Sequence, residues 1–151
     1  MILDELMEFC DATALNTGAA ASYLIGDVVD LGATARNIGV GRPVYLVIQV
    51  DTTVTSGGSG TYGFSLCSDA QAAIAVDGTA SYHYSTPQIA KATLIAGYVV
   101  AVVALSEGIM YERYLGIVQT TAVAAATAGK VNAFLTYDAA NWRSYPNPVG
   151  A

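Results

Sequence analysis

Asp30-Leu-Gly-Ala-Thr-Ala-Arg-Asn-Ile-Gly-Val-Gly-Arg-Pro-Val-Tyr-Leu-Val-Ile-Gln-Val-Asp51 is a polar, glycine-punctuated approach that ends in one long run of β-formers. Gly39-Val40-Gly41 has the outline of a phosphate-cradling turn, but that motif must open a helix. Here Arg42-Pro43 follows and leads into a strand, so the glycines are read as a turn. Val44 to Asp51 is nearly all apolar, as expected of a strand covered on both faces. Beyond it, Ser56-Gly-Gly-Ser-Gly60 reads as a mobile turn. Tyr62 to Ser68 then alternates, with Tyr62, Phe64 and Leu66 on one face and Gly63, Ser65 and Cys67 on the other. The two runs are predicted to pair as a hairpin.

Working outward, Tyr111 to Thr121 has the same β character, and Ser81 to Ser85 alternates with Tyr82 and Tyr84 on one face and His83 on the other. Thr93 to Leu105 is predicted as the central buried strand. Lys130 to Asp138 alternates again, setting Val131, Ala133, Leu135 and Tyr137 on one face. Asp27 to Leu31 reads as a short first strand, Asp11 to Gly26 as an irregular connector, and Asp69 to Val76 as a loop with a helical or bulged piece. Met1 to Phe9 spaces Ile2, Leu3, Leu6, Met7 and Phe9 as one helix stripe, with Asp4, Glu5 and Glu8 turned away. Seven or eight strands with turns between them and no helix of ordinary length predict an all-β chain. The expected architecture is an antiparallel β-sandwich or jelly roll with a short N-terminal helix. Residues 1–26 are the helix and connector, 27–138 the jelly-roll domain, and 139–151 the C-terminal tail. A doubly wound α/β fold is excluded for want of helices between the strands.

At 151 residues the chain fits one domain with one core. Charged residues make up only 12%, against about 25% in ordinary soluble domains. The net charge is -6, and the basic residues Arg36, Arg42, Lys91, Arg113, Lys130 and Arg143 are scattered singly. Nucleic acid and anionic membranes both require clustered Lys and Arg, so neither is an expected partner. The longest apolar stretch, Ala92 to Leu105, is too short for a spanning helix and contains Thr93 and Gly97. Met1 to Asp11 carries four acids and no base, unlike a secretory signal. Cys10 and Cys67 are read as two free thiols in a reducing compartment.

Catalytic chemistry has little to work with. His83 is the sole histidine, so neither a histidine-rich metal site nor a Ser-His-Asp set is expected, and no Gly-x-Ser-x-Gly motif accompanies it. The carboxylate groups Asp4, Glu5, Glu8 and Asp27, Asp30 have no aromatic cleft beside them. The reading is of a non-enzyme with no cofactor and no metal. Interface residues are a different matter. The terminal helix is too short to be stable alone and must dock on its own domain or on a neighbour, which makes Ile2, Leu6 and Phe9 candidates. Trp142, Arg143 and Tyr145 lie in a proline-rich tail unsuited to a sheet and are contact residues by type.

Asp30-Leu-Gly, Arg36-Asn-Ile-Gly-Val-Gly, the strands Tyr45 to Asp51 and Tyr62 to Asp69, Glu112-Arg-Tyr-Leu115 and Ala128-Gly-Lys-Val131 to Asp138 occur in an order and spacing that resembles a known family. The chain is similar to the capsid cement proteins of short-tailed phages, of the type found in Bordetella podophage. The resemblance implies a jelly-roll homodimer on the outer surface of an icosahedral head. There it would bridge major capsid proteins of the tailed-phage fold at two-fold positions, after a time in the host cytoplasm during assembly. The family offers no catalytic residue to carry over. The competing reading is a carbohydrate-binding β-sandwich, such as a phage receptor-binding or adhesion module, whose aromatics would stack on sugars.

Overall fold

Alternation of buried and exposed side chains along the β-forming runs lets each strand bury one face, and two sheets that each bury a face must stack. The computed structural model describes residues 4–33, 38 and 41–140. Its regular elements are a 3-10 turn at Glu5–Met7 and strands β1 (Glu8–Ala14), β2 (Ser22–Asp30), β3 (Tyr45–Ser56), β4 (Thr61–Asp69), β5 (Ser81–Ser85), β6 (Ile89–Ala90), β7 (Val99–Ala104), β8 (Tyr114–Ala122) and β9 (Ala126–Thr136). One sheet runs β1-β9-β3-β7 and the other β2-β8-β4-β5, with β6 also on β4. Every pairing is antiparallel. Apart from the β4–β5–β6 segment, each connection crosses from one sheet to the other, which is the double Greek key of a jelly roll.

The core lies between the sheets. Leu46, Ile48 and Val50 of β3 and Val131, Ala133 and Leu135 of β9 meet Tyr62, Phe64 and Leu66 of β4 and Leu115 and Ile117 of β8. Each large apolar side chain buried this way contributes about 1.5–3 kcal/mol. The second sheet is also covered outside. Cys67 and Val118 point outward under Ile74 and Ala80 of the β4–β5 loop, which form a second, smaller cluster. Asp69 holds that loop down by accepting hydrogen bonds from the Gln71 and Ala75 N–H groups, both at 3.0 Å. Those bonds, led by that from Ala75, hold the Asp69 carboxyl below its ordinary range.

Five local expectations are corrected. The helix expected over Met1 to Phe9 is, in its described part, one 3-10 turn, after which Glu8 enters β1. A stripe of two turns is too short to hold a helix, whereas β1 gains a ladder with β9. Asp11 to Gly26 is accordingly no irregular connector, since it contains most of β1 and the start of β2. β3 and β4 do not pair; their turn crosses between sheets, and β3 lies between β9 and β7. The expected central strand Thr93 to Leu105 is instead a turn followed by the edge strand β7. In that turn Val54 and Val50 donate N–H to the carbonyls of Leu94 and Tyr98, and Gly97 adopts a φ of 85°. Lastly, a bulge between Leu66↔Tyr84 and Cys67↔Tyr82 breaks the alternation of β5. Tyr84 packs on the main core while Tyr82 stands exposed beside the outward Cys67.

Candidate functional site

Of the interface candidates, Ile2, Trp142, Arg143 and Tyr145 lie outside the described residues. Leu6 sits on the 3-10 turn, 78% exposed. Phe9 is corrected: it is 1% exposed and belongs to the domain's own core, because a strand at Glu8–Ala14 points it between the sheets. The turn that separates these two residues is locally specified. Asp4 caps it by accepting the Leu6 N–H at 3.0 Å, and its carbonyl accepts the Met7 N–H at 2.9 Å.

The strand directions place the 3-10 turn, the β2–β3, β4–β5 and β7–β8 connections and the end of β9 at one end of the sandwich. A cleft of about 340 Å³ opens there. Met7, Leu31, Ile38, Val44, Leu135 and Tyr137 supply its apolar lining, and Asp4 and Thr136 also border it. Tyr137 is predicted from sequence to share one face with Val131, Ala133 and Leu135, but it follows the last residue of β9 and is 57% exposed. The Arg42 guanidinium lies 4.8 Å above the Tyr137 ring centre. On the other side of the turn, Glu5, Glu8, Asp11 and Asp27 line an acidic groove where the edge strands β1 and β2 meet. Partial burial and the neighbours Asp11 and Glu5 raise the Glu8 carboxyl above its ordinary range.

That groove depends on a close approach of β2 to β1. At the β2 irregularity between Ile25 and Val29, Gly26 adopts a φ of 70°. A Cβ there would fall 2.0 Å from the Phe9 carbonyl oxygen, so glycine is required on both counts.

The same end holds the polar cluster around His83, which nothing in the spacing of these residues revealed. His83 Nε2 is 2.7 Å from Ser68 Oγ, and the Glu112 N–H donates to the same oxygen at 3.2 Å. Ser81 Oγ donates to Glu112 Oε1 at 2.8 Å, and the His83 ring packs on Tyr111 with centroids 4.4 Å apart. One hydrogen lies between Ser68 Oγ and His83 Nε2, carried by either atom according to the imidazole tautomer. Burial lowers the pKa of His83, opposed by the nearby Glu112 carboxylate. A serine against a histidine is the pairing that nucleophilic catalysis uses. Ser68 has 0% exposure, however, so this pair braces β4, β5 and the lead into β8.

The remaining groups are quiet. Cys10 and Cys67 are free and buried, and desolvation pushes each thiol up to about 12. No three His, Cys, Asp or Glu side chains among the described residues are grouped to hold a metal ion. No helix among them is long and apolar enough to cross a membrane. The most exposed tyrosines described are Tyr82, on β5, and Tyr137, just beyond the end of β9 in the other sheet.

Comparison with curated proteins found no match. The family model of Bbp16 matches residues 9–135, which is consistent with a Bordetella phage protein family. Its limits fall at Phe9, the first core residue of β1, and Leu135, the last of β9, and so take in both sheets. Matched across its entire sandwich, the chain belongs to the Bbp16 family.

Proposed function

We propose that the protein is a structural component of the phage particle: a homodimeric cement, or decoration, protein that binds the outside of the icosahedral head. It bridges major capsid proteins of the tailed-phage fold at two-fold positions and stabilises the shell. The observation that carries this reading is the family match over the whole jelly roll. A surface finished with few charges supports it further.

The physical role follows from linkage. A protein that binds the assembled shell and not its free subunits stabilises assembly by mass action. A two-fold dimer seated on a two-fold joint repeats each contact, and the second contact, once tethered, forms at high effective concentration. Cryo-electron microscopy of the native particle tests the reading. Paired β-sandwich density on the outer surface at two-fold positions is expected, and heads assembled without the protein should release DNA at lower temperature. Particles without such density, together with specific binding of the purified protein on a glycan array, would replace the cement reading with an adhesion module.

A further inference from the structure

The two ends of the sandwich differ in chemistry. The end with the cleft exposes Leu6, Met7, Ile109, Met110 and Tyr137, with Met110 70% exposed, and its connections carry Asp4, Glu5, Asp77, Glu107 and Glu112. Its described cations are Arg42, stacked on Tyr137, and Arg113, held in a two-point ion pair with Asp30 at 2.9 and 2.8 Å. Both lysines, Lys91 and Lys130, stand toward the other end. Met7 looks into the apolar cleft while Glu5, on the same short turn, and Glu8, the first residue of β1, line the acidic groove.

We infer that this end is the face that docks the capsid subunit, with an apolar side chain of the subunit entering the cleft between Met7 and Tyr137 and its Lys or Arg residues lying over Glu5, Glu8, Asp11 and Asp27. The inference rests on the cement reading and adds the face and the chemistry of the partner. Charge complementarity selects the occupant. A two-fold contact between copies presents the same patch to itself, so self-association through this end would set one acid-rich surface against another. A basic, apolar partner instead relieves the crowding of the four carboxylates in the groove and covers the exposed side chains beside it. The dimer contact is therefore made elsewhere on the molecule.

The test is sedimentation binding of the purified protein to heads of the parent phage assembled without it, at low and raised salt. Four chains are compared: wild type, Leu6→Asp, the double variant Glu5→Lys/Asp11→Lys, and Val123→Asp at the opposite end. All four altered positions are exposed, and unchanged urea midpoints verify that each chain folds. Leu6→Asp is expected to weaken binding roughly ten- to hundred-fold, the factor attached to losing one buried leucine. The double variant should weaken binding and lose the decline with salt that wild type shows. Val123→Asp should bind as wild type does. If wild type binds and the three variants match it, this face is the wrong one while the cement reading stands. If wild type does not bind heads at all, the cement reading fails and the inference with it. A dimer that dissociates on size exclusion in the Leu6→Asp chain would make a second copy the occupant and overturn the inference.

Discussion

Replacing Phe9 with alanine separates a core strand from a terminal contact element. Phe9 is 1% exposed and packs in the main cluster between the sheets, on an edge strand whose neighbour β2 approaches closely enough to require Gly26. Truncating a phenylalanine in such a site costs about 3–5 kcal/mol, from lost burial and the cavity left behind. A domain of this size has roughly 5–15 kcal/mol in total, so the loss is about a fifth or more. With a urea slope of about 2 kcal/mol per molar, the midpoint should fall by around 2 M. The matched variant Leu6→Ala, three residues away on the exposed turn, should shift stability by less than about 0.5 kcal/mol. Both are read from urea melts followed by tyrosine fluorescence at one fixed protein concentration, since self-association would add a concentration term. A Phe9→Ala chain whose midpoint is unchanged but which no longer binds heads would refute the placement of β1. In that case Phe9 would face a partner and not the core.

Gly26→Ala should destabilise the fold by more than the roughly 1–2 kcal/mol that a left-handed alanine costs, because the added Cβ also meets the Phe9 carbonyl; thermal melts measure it. The Arg113 fork, helped by the Gly32 N–H, lowers the Asp30 carboxyl from 3.8 to about 2. A depressed carboxylate contributes stability that is present above pH 3.8 and lost as pH falls toward 2, so Asp30→Asn should flatten the acid limb of a stability-versus-pH curve over that window. His83 is depressed below 6.5 by burial, so the unfolded chain takes up its proton first and stability falls as pH drops through 6.5; His83→Gln should remove that slope in urea melts run from pH 8 to about 5. Cys10 and Cys67, with thiols raised to about 12, should resist iodoacetamide at pH 8 in the native protein and react only in urea, as mass spectrometry would show.

Much of the sandwich is legible in the strands themselves. Tyr62, Phe64 and Leu66 do face the core, and so do Val131, Ala133 and Leu135, because period-two alternation follows directly from the pleat. Two of the quoted motifs also meet: Asp30 pairs with Arg113, and the Leu31 N–H donates to the Arg113 carbonyl at 2.8 Å, which ties the end of β2 to the start of β8. What alternation does not encode is the partner of a strand. Ser56 to Gly60 has the composition of a hairpin tip, yet a glycine-rich turn serves equally well to carry the chain from one sheet to the other. β1 is hidden for another reason. Its register slips twice against β9 and Ala12 takes a φ of 45°, so the alternation that marks a strand is broken and a short helix stripe reads through it.

The site was less legible. The sequence offers Leu6 as an interface candidate, but the cleft beside it gathers Met7, Leu31, Ile38, Val44, Leu135 and Tyr137 from three separate stretches of chain: the 3-10 turn, the β2–β3 connection and the end of β9. No local spacing predicts that assembly. Local spacing does not encode the Ser68–His83 brace either, since it needs both the β4–β5 pairing and the return of Glu112 from the β7–β8 connection.

The pairing of β1 with β9 joins the first strand to the last, with Glu8 opposite Phe134 and Ala14 opposite Lys130. A ribosome-bound chain therefore carries β1 without its ladder until nearly all of the described sequence has emerged, and no N-terminal half can close either sheet. Such non-local closure places folding on a timescale of roughly milliseconds to seconds. Until β9 arrives, Phe9 and Cys10 remain uncovered on an unpaired edge, which makes the newly made chain most prone to aggregation just before its last strand docks.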